Sequence, residues 1–439
     1  VQAGARDVRA AVRAGLLGAA VLLAAAGCGE RSADSADGPY AEIVRKVVPR
    51  LEDQVGLRFA TPPRLERRTR DEVRDFIAGQ LSSDRARQQL AGQQALYRLL
   101  GVIPDTLDLD ALLRRLLEEQ IVGYYDPASK VLYVVDGAPK ALLEQTIAHE
   151  LVHALQDQHI RIDSIQAATD DADRQLAAQA VLEGQAVYEQ LRLDPSAGSM
   201  LKMPGGWERI RDVIRDGQTG MPVFASAPRI VREALLFPYL GGADFVRRFL
   251  LQRPASELLG DLPVSSKQIL NDAAYFGEAG ARDLPTPLTL PAPRTGTVTY
   301  SNTIGEFETR LILVHHLKDE VVARRGASGL DGDRFAVVAT PAGDALVWAS
   351  VWDSSVDAAE FFGLLNDLVK RRYDGARPVG DPAATMRRWD ADRSPTRAAP
   401  RTVVVRIVEI GGRPVVVYTD VPQGVSDALI DPARITIGG

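Results

Sequence analysis

Two histidines four residues apart, His149 and His153, with a carboxylate directly after the first, Glu150, are the residues of this chain best suited to chemistry. On a helix, positions i and i+4 share one face, so both imidazoles can close on a single zinc ion (Zn2+) while Glu150 reaches its bound water. That is the core of a zinc hydrolase. A solvated helix with two surface histidines would carry the same letters, but the flanks speak against it. Leu142, Leu143, Ile147, Leu151, Val152, Ala154 and Leu155 recur at helical spacing and leave His149, Glu150 and His153 at the border of a broad apolar stripe. The spacing predicts a buried helix that starts after Pro139 and Lys140, runs to about His159 and turns a polar seam toward a cleft.

A catalytic zinc usually takes three protein ligands and keeps a fourth position for water. Two downstream residues compete for the third place. Glu183, in Val181-Leu-Glu-Gly-Gln-Ala-Val-Tyr188, is an acid in the middle of an otherwise apolar helix face, where burial asks for a cation. An arginine partner or a place at the helix rim would also satisfy it. His159 has the spacing of His-Glu-x-x-His-x-x-Gly-x-x-His, but Gln156 stands where that pattern needs a glycine to bend the chain. Glu183 is therefore the expected third ligand. Asp157, one turn beyond His153, is a candidate to orient a ligand imidazole and equally a candidate for a solvated or capping role. Tyr239 and Tyr275 are candidates for stabilising an oxyanion, against plain core packing, while His315 and His316 read as surface residues.

Periodicity outlines the elements that must position these groups. From Tyr40 to about Leu117 the apolar spacing is helical, broken at Pro62-Pro63 and Pro104. Ile121 to Tyr125 and Lys130 to Val135 flank Asp126-Pro-Ala-Ser129 and predict a hairpin just before the zinc helix, where an exposed strand could pair with an extended substrate. Ala172 to Leu193 predicts a second long helix with Leu176, Ala180, Glu183, Val187 and Leu191 on one face. Residues 198–228, rich in Gly, Pro and Met, read as an irregular loop or lid, helical spacing resumes from Arg229 to Leu251, and Leu284 to Thr297, with four prolines, reads as a linker. Beyond Tyr300 the pattern mixes a helix over Ile304 to Arg325, strands over Arg334 to Ala339 and Ala345 to Trp352, a helix over Asp357 to Arg372, and a last hairpin over Val403 to Ile410 and Val415 to Thr419. The expected fold is α+β: a mainly helical domain over residues 39–290, with a β-hairpin before the zinc helix, and a smaller C-terminal α+β domain over 298–439 that carries no chemical motif.

The start of the chain speaks to location. Ala14 to Gly27 is uncharged and rich in Leu and Ala, follows Arg6, Arg9 and Arg13, and ends in Leu23-Ala-Ala-Ala-Gly27-Cys28, which resembles the bacterial lipobox. Residues 1–27 are expected to be a lipoprotein signal peptide, Cys28 to be lipidated, and residues 28–38 to be a flexible tether to the membrane. Cys28 is the only cysteine, which excludes an intramolecular disulfide and a thiolate zinc site. Formal net charge is −6, and residues 1–27 hold three Arg and one Asp, so the remainder stands at −8; nucleic acid is not an expected partner.

His149-Glu-Leu-Val-His-Ala-Leu-Gln-Asp-Gln158 with Leu182-Glu-Gly-Gln-Ala186 resembles the gluzincin-type zinc metallopeptidases, and specifically a poorly characterised family of bacterial lipoproteins. The likeness extends through Gly123-Tyr-Tyr-Asp-Pro127, Phe237-Pro-Tyr-Leu-Gly-Gly242 and Ser265-Ser-Lys-Gln-Ile-Leu270, thus over roughly residues 40–280. It is fainter at Gly332-Asp-Arg-Phe335 and over Trp352 to Glu360. Where that family has a His-Pro pair after Gln-Ile-Leu, this chain has Asn271-Asp272. The resemblance implies a zincin-like fold, Zn2+ on His149, His153 and Glu183, Glu150 as general base, and a peptide or protein substrate outside the cytoplasmic membrane. Two alternatives share these residues: a non-catalytic zincin-fold lipoprotein serving as an envelope binding or scaffold protein, and a hydrolase of non-peptide amides. The intact Glu150 argues against the first, because a purely structural zinc more often has four protein ligands and needs no base.

Overall fold

The computed structural model describes residues 40–162, 165, 170–277, 282–373, 375–383, 385–392 and 400–438. The expected signal peptide, the tether and Cys28 lie outside these residues. The chain is α+β, with a helical N-terminal region and a C-terminal β-sheet domain. Helical spacing in the first part produces α1 (Ala41–Val55), α2 (Arg70–Leu81), α3 (Asp84–Leu99) and α4 (Leu109–Gln120), with strand β1 (Arg64–Arg68) between α1 and α2. Polar side chains start these helices: a Thr69 and Glu72 capping box opens α2, and Asp108 accepts from the N–H of Ala111 at the start of α4. The hairpin follows as β2 (Gly123–Asp126) and β3 (Val131–Val135), and then come α5 (Lys140–His159) and α6 (Ala172–Leu193).

β1 corrects the helical reading of the lead-in. Arg64-Leu-Glu-Arg-Arg68 has no apolar alternation, yet it lies parallel to β3, from Arg64 opposite Val131 to Arg68 opposite Val135, in a sheet of order β1-β3-β2. Its partner is 67 residues away, and pairing rather than local propensity makes it a strand. Residues 198–228 also depart from the expected loop. They form the end of α7 (Pro195–Leu201), then α8 (Gly206–Gln218) and α9 (Pro222–Ser226), because Trp207, Ile210 and Ile214 make a buried face on α8. Next come α10 (Arg229–Phe249) and two short helices, α11 (Ser266–Leu270) and α12 (Asp272–Phe276).

α6 is the axis of the helical region, with Ala177, Ala180, Val181, Leu182, Ala186, Val187 and Leu191 all buried. α10 crosses it backbone to backbone: a Cβ on Gly184 would stand 2.1 Å from the carbonyl carbon of Gly242, and one on Gly242 would stand 1.8 Å from the Ala180 carbonyl oxygen. Only glycine allows both chains this approach.

The proline-rich stretch is a strap rather than a free linker. Its β4 (Leu288–Thr289) pairs antiparallel with the last strand, Thr436–Ile437, and buries Leu288. β5 (Thr297–Asn302) leads into α13 (Gly305–Leu317) and α14 (Glu320–Ala327), which Lys318 separates with a left-handed backbone at φ 60°. Then follow β6 (Leu330–Thr340), β7 (Gly343–Trp352), α15 (Ser355–Arg372), β8 (Arg377–Ala383), β9 (Met386–Ala391), β10 (Arg401–Ile410), β11 (Arg413–Pro422) and the final strand, β12. Strands β5 to β11 make one antiparallel sheet of order β5-β6-β7-β11-β10-β9-β8. One face, with Trp348, Trp352 and Val403, packs on α13 and α15 in a core that continues into α6 and α10; the other, with Val347, Ala349 and Val417, lies under the strap and Leu429, Ile430 and Ile435. Within that shared core His315 and His316 are half-buried rather than surface residues. His316 Nε2 lies 2.9 Å from the Leu100 carbonyl, and burial pushes the two imidazoles down to about 4 and about 3.

Candidate metal centre

Three contacts fix α5 against its neighbours. Gly123 of β2 lets it approach, since a Cβ there would meet Thr146 Cγ2 at 2.8 Å and the Tyr133 carbonyl at 3.0 Å. Asp157 accepts from the Tyr125 hydroxyl at 2.8 Å and from Lys130 Nζ at 2.6 Å, which ties the hairpin to the helix. Gln158 accepts from the main-chain N–H of Ala60 and Thr61 and donates to the Thr61 carbonyl. The far side is set by α6, whose start is held from the sheet domain, the N–H of Ala172 donating to Asn302 Oδ1 at 2.7 Å and that of Asp173 to Thr303 Oγ1 at 3.1 Å, and from α11, the N–H of Ser266 donating to Asp173 Oδ2 at 3.0 Å.

Between these two helices three donor atoms converge. His149 Nε2 is 3.2 Å from His153 Nε2, and the two lie 3.3 and 3.4 Å from Glu183 Oε2. His149 is 2 % exposed, and Glu150, His153 and Glu183 are 0 % exposed. Neither oxygen of Glu183 makes a hydrogen bond of good geometry despite the two imidazoles, nor does either oxygen of Glu150, near which the main-chain N–H of Tyr125 lies. Buried polar atoms in native folds are nearly always satisfied, so four unsatisfied carboxylate oxygens in one place mark a site rather than a core. Burial raises the Glu150 carboxyl above its ordinary range, the nearby imidazoles only partly opposing it. Burial pulls His153 the other way, but the Glu183 carboxylate outweighs it and holds the imidazole up at about 9, while Glu183, also opposed by burial, is held down chiefly by His153. No lysine or arginine pairs with Glu150 or Glu183 among the described residues. Two imidazole nitrogens and a carboxylate oxygen within reach of one another are a donor set that fits a divalent metal ion.

A family model described as a domain of unknown function (DUF8575) matches residues 294–423, the greater part of the sheet domain. No curated protein and no solved structure matches the chain.

The residues singled out from sequence divide sharply in space. His149, His153, Glu183 and Glu150 come together, whereas His159 is exposed at the end of α5 with Nε2 2.9 Å from the Arg58 carbonyl. Asp157 touches neither imidazole, being spent on Tyr125 and Lys130. Two glutamines take that place: Gln190 Oε1 lies 3.2 Å from His149 Nδ1, and Gln156 Oε1 lies 2.9 Å from His153 Nδ1. Gln190 follows Glu183 by two helical turns and so shares its face, a spacing that sequence offers once Glu183 is taken as a ligand. Gly184 faces α10 rather than α5, because one residue is about 100° of helix rotation from Glu183. Tyr239 of α10 stacks near His149 at 6.3 Å between centroids, and burial, then the Glu183 and Glu150 carboxylates, push its phenol well above the usual range. Tyr275 is core: its hydroxyl donates to the Asp261 carbonyl at 2.6 Å and its ring packs on Phe245.

A second group of acids, Asp283, Asp331 and Asp353, lies at the seam of the helical region and the sheet domain. It already holds cations. Lys267 Nζ is 2.7 Å from both Asp283 and Asp353, and Arg413 pairs with Asp331 at 2.5 Å.

Proposed function

We propose that this chain is a zinc-dependent peptidase of zincin-like fold, with His149, His153 and Glu183 as metal ligands and Glu150 as general base. The observation that carries the reading is the convergence of two imidazoles and a carboxylate on one buried point, with the buried Glu150 beside it and, among the described residues, no lysine or arginine paired to it. Zinc held there would supply an acidified water and polarise the substrate carbonyl. Glu150, whose burial raises its proton affinity, accepts the proton from the attacking water and returns it to the leaving amine. Tyr239, beside both carboxylates, donates to the oxyanion that forms on the carbonyl oxygen as water adds to the carbon. β2 lies at the edge of its sheet and against α5, but Gly123 to Tyr125 are buried rather than exposed as expected, so its main-chain groups could meet an extended peptide only after the covering segments move. The tail of basic and apolar residues ending at Cys28 supports export and lipid anchoring to the outer face of a bacterial membrane. Among the described residues no helix is long and apolar enough to cross a membrane.

One observation favours the alternative of a non-catalytic, metal-holding envelope protein: all four site residues are sealed from solvent, so a substrate needs a movement to reach them. Zinc content and peptide-library cleavage by the fragment that begins after Cys28, compared with Glu150→Gln, separate the two. The peptidase reading expects zinc in both proteins and at least a ~100-fold loss of cleavage in the variant, the size of a general-base contribution. Zinc with equal inactivity in both leaves the scaffold. For location, Cys28→Ser is expected to free the protein from the membrane fraction or leave an unprocessed precursor, as cell fractionation and the mass of the product would show. Full processing with unchanged attachment rules the anchor out.

A further inference from the structure

Each imidazole of the metal centre ends, on the side away from Glu183, at a neutral amide rather than at a carboxylate. For His153 the amide's orientation is dictated. The Leu182 carbonyl can only accept, so the group 3.0 Å from it is the NH2 of Gln156, and the same NH2 donates to Gln185 Oε1 at 2.9 Å. Gln156 Oε1 is then left to accept from His153 Nδ1 at 2.9 Å. When the imidazole is neutral, as a metal ligand must be, its one proton therefore belongs on Nδ1 and its lone pair on Nε2, the atom that faces Glu183 and His149.

We propose that Gln156 is a positioning residue: through a hydrogen-bond relay that starts at the main-chain carbonyl of Leu182, it fixes the tautomer of His153 and aims Nε2 at the metal. The inference rests on the reading of His149, His153 and Glu183 as a metal centre. The relay begins one residue before Glu183, so the backbone that carries one ligand also sets the protonation of another. Charge explains why an amide serves here. With neutral imidazoles, Glu150 and Glu183 balance one divalent cation, and every one of these groups is buried. A carboxylate at position 156 would add an uncompensated charge where no solvent reaches it and would set an acceptor against the Leu182 carbonyl.

The test is zinc affinity by chelator competition on the full chain, with visible absorption of the cobalt-substituted protein as a second readout. Gln156→Met keeps the length of the side chain and removes both ends of the relay. It is expected to weaken zinc binding by about 10- to 100-fold, the usual effect of losing a partner of a ligating histidine, and to shift the cobalt bands. Glu144→Gln, exposed on the same helix and outside the relay, should change neither. Should Gln156→Met fail to fold, Gln156→Glu reads the same relay with the shape kept and is expected to lose at least tenfold, about 1.4 kcal/mol. Unchanged affinity and unchanged bands in Gln156→Met, or tighter binding in Gln156→Glu, would overturn the relay while the metal centre stands. Failure of the unsubstituted protein to bind zinc or cobalt removes the metal centre itself.

Discussion

Asp420 in the sheet and Glu183 in the helical region are both carboxylates with no solvent exposure, and they are served in opposite ways. Asp420 accepts from Arg372 at 3.0 Å, from the Tyr373 hydroxyl at 2.7 Å, and from Arg401. Burial would raise its carboxyl, but the two guanidinium groups outweigh it and hold it below the usual range. Among the described residues Glu183 has two imidazoles and the Tyr239 phenol beside it but no lysine or arginine, and neither of its oxygens makes a hydrogen bond of good geometry. A buried charge with fixed cationic partners is a device of the fold. One whose surroundings could accept a further cation is where to look for chemistry.

Substitutions can break this contrast at either end. The largest loss of stability is expected from Asp420→Asn, which strands two guanidinium groups inside the sheet core and should cost about 3–5 kcal/mol in a denaturant titration. A loss below ~1 kcal/mol would mean that water already reaches the cluster. Glu183→Ala acts differently: zinc affinity should fall about 100-fold or more, beyond what loss of an indirect partner causes, while His159→Ala leaves it nearly unchanged. The reverse ranking in a chelator competition would move the third ligand to His159. The smallest effect sharpens the contrast from between the two extremes. Glu308 is part-buried and accepts from the Tyr97 hydroxyl at 2.9 Å, but among the described residues no cation pairs with it, and burial pushes its carboxyl up to about 7. From about pH 4.5 to 7 the unfolded chain gives up this proton while the folded chain keeps it, so stability falls through that window and stays lower above it. Glu308→Gln should therefore stabilise the protein by about 1–3 kcal/mol at pH 8 and leave it unchanged at pH 4. Equal effects at both pH values would show that the carboxyl titrates normally.

Much of the arrangement around Glu183 was legible in the sequence, because α5 and α6 are long and strongly periodic and their polar residues interrupt apolar faces. The hairpin was legible for a similar local reason, two β-branched and aromatic runs around Asp-Pro-Ala-Ser. What escaped depends on partners distant in sequence. Arg64 to Arg68 carries no strand pattern and becomes β1 only beside β3. The meeting of Gly184 with Gly242, fifty-eight residues apart, is invisible until α10 is laid across α6. Gln156, where a metal-ligand pattern would have had glycine, read as a departure from that pattern, whereas in the fold it contacts His153. Asp157 was the more conspicuous neighbour, but its place on the helix turns it toward the hairpin.

The first turn of α6 is pinned by Asn302 and Thr303, so the helix that carries Glu183 takes its position from residues more than a hundred places later in the chain. The two halves are consequently a poor unit for exchange. A gene recombined between codons 284 and 297 would transmit all the candidate ligands to its descendants but not the anchorage that orients them. Any lineage that keeps the centre is thereby constrained to inherit the sheet with it.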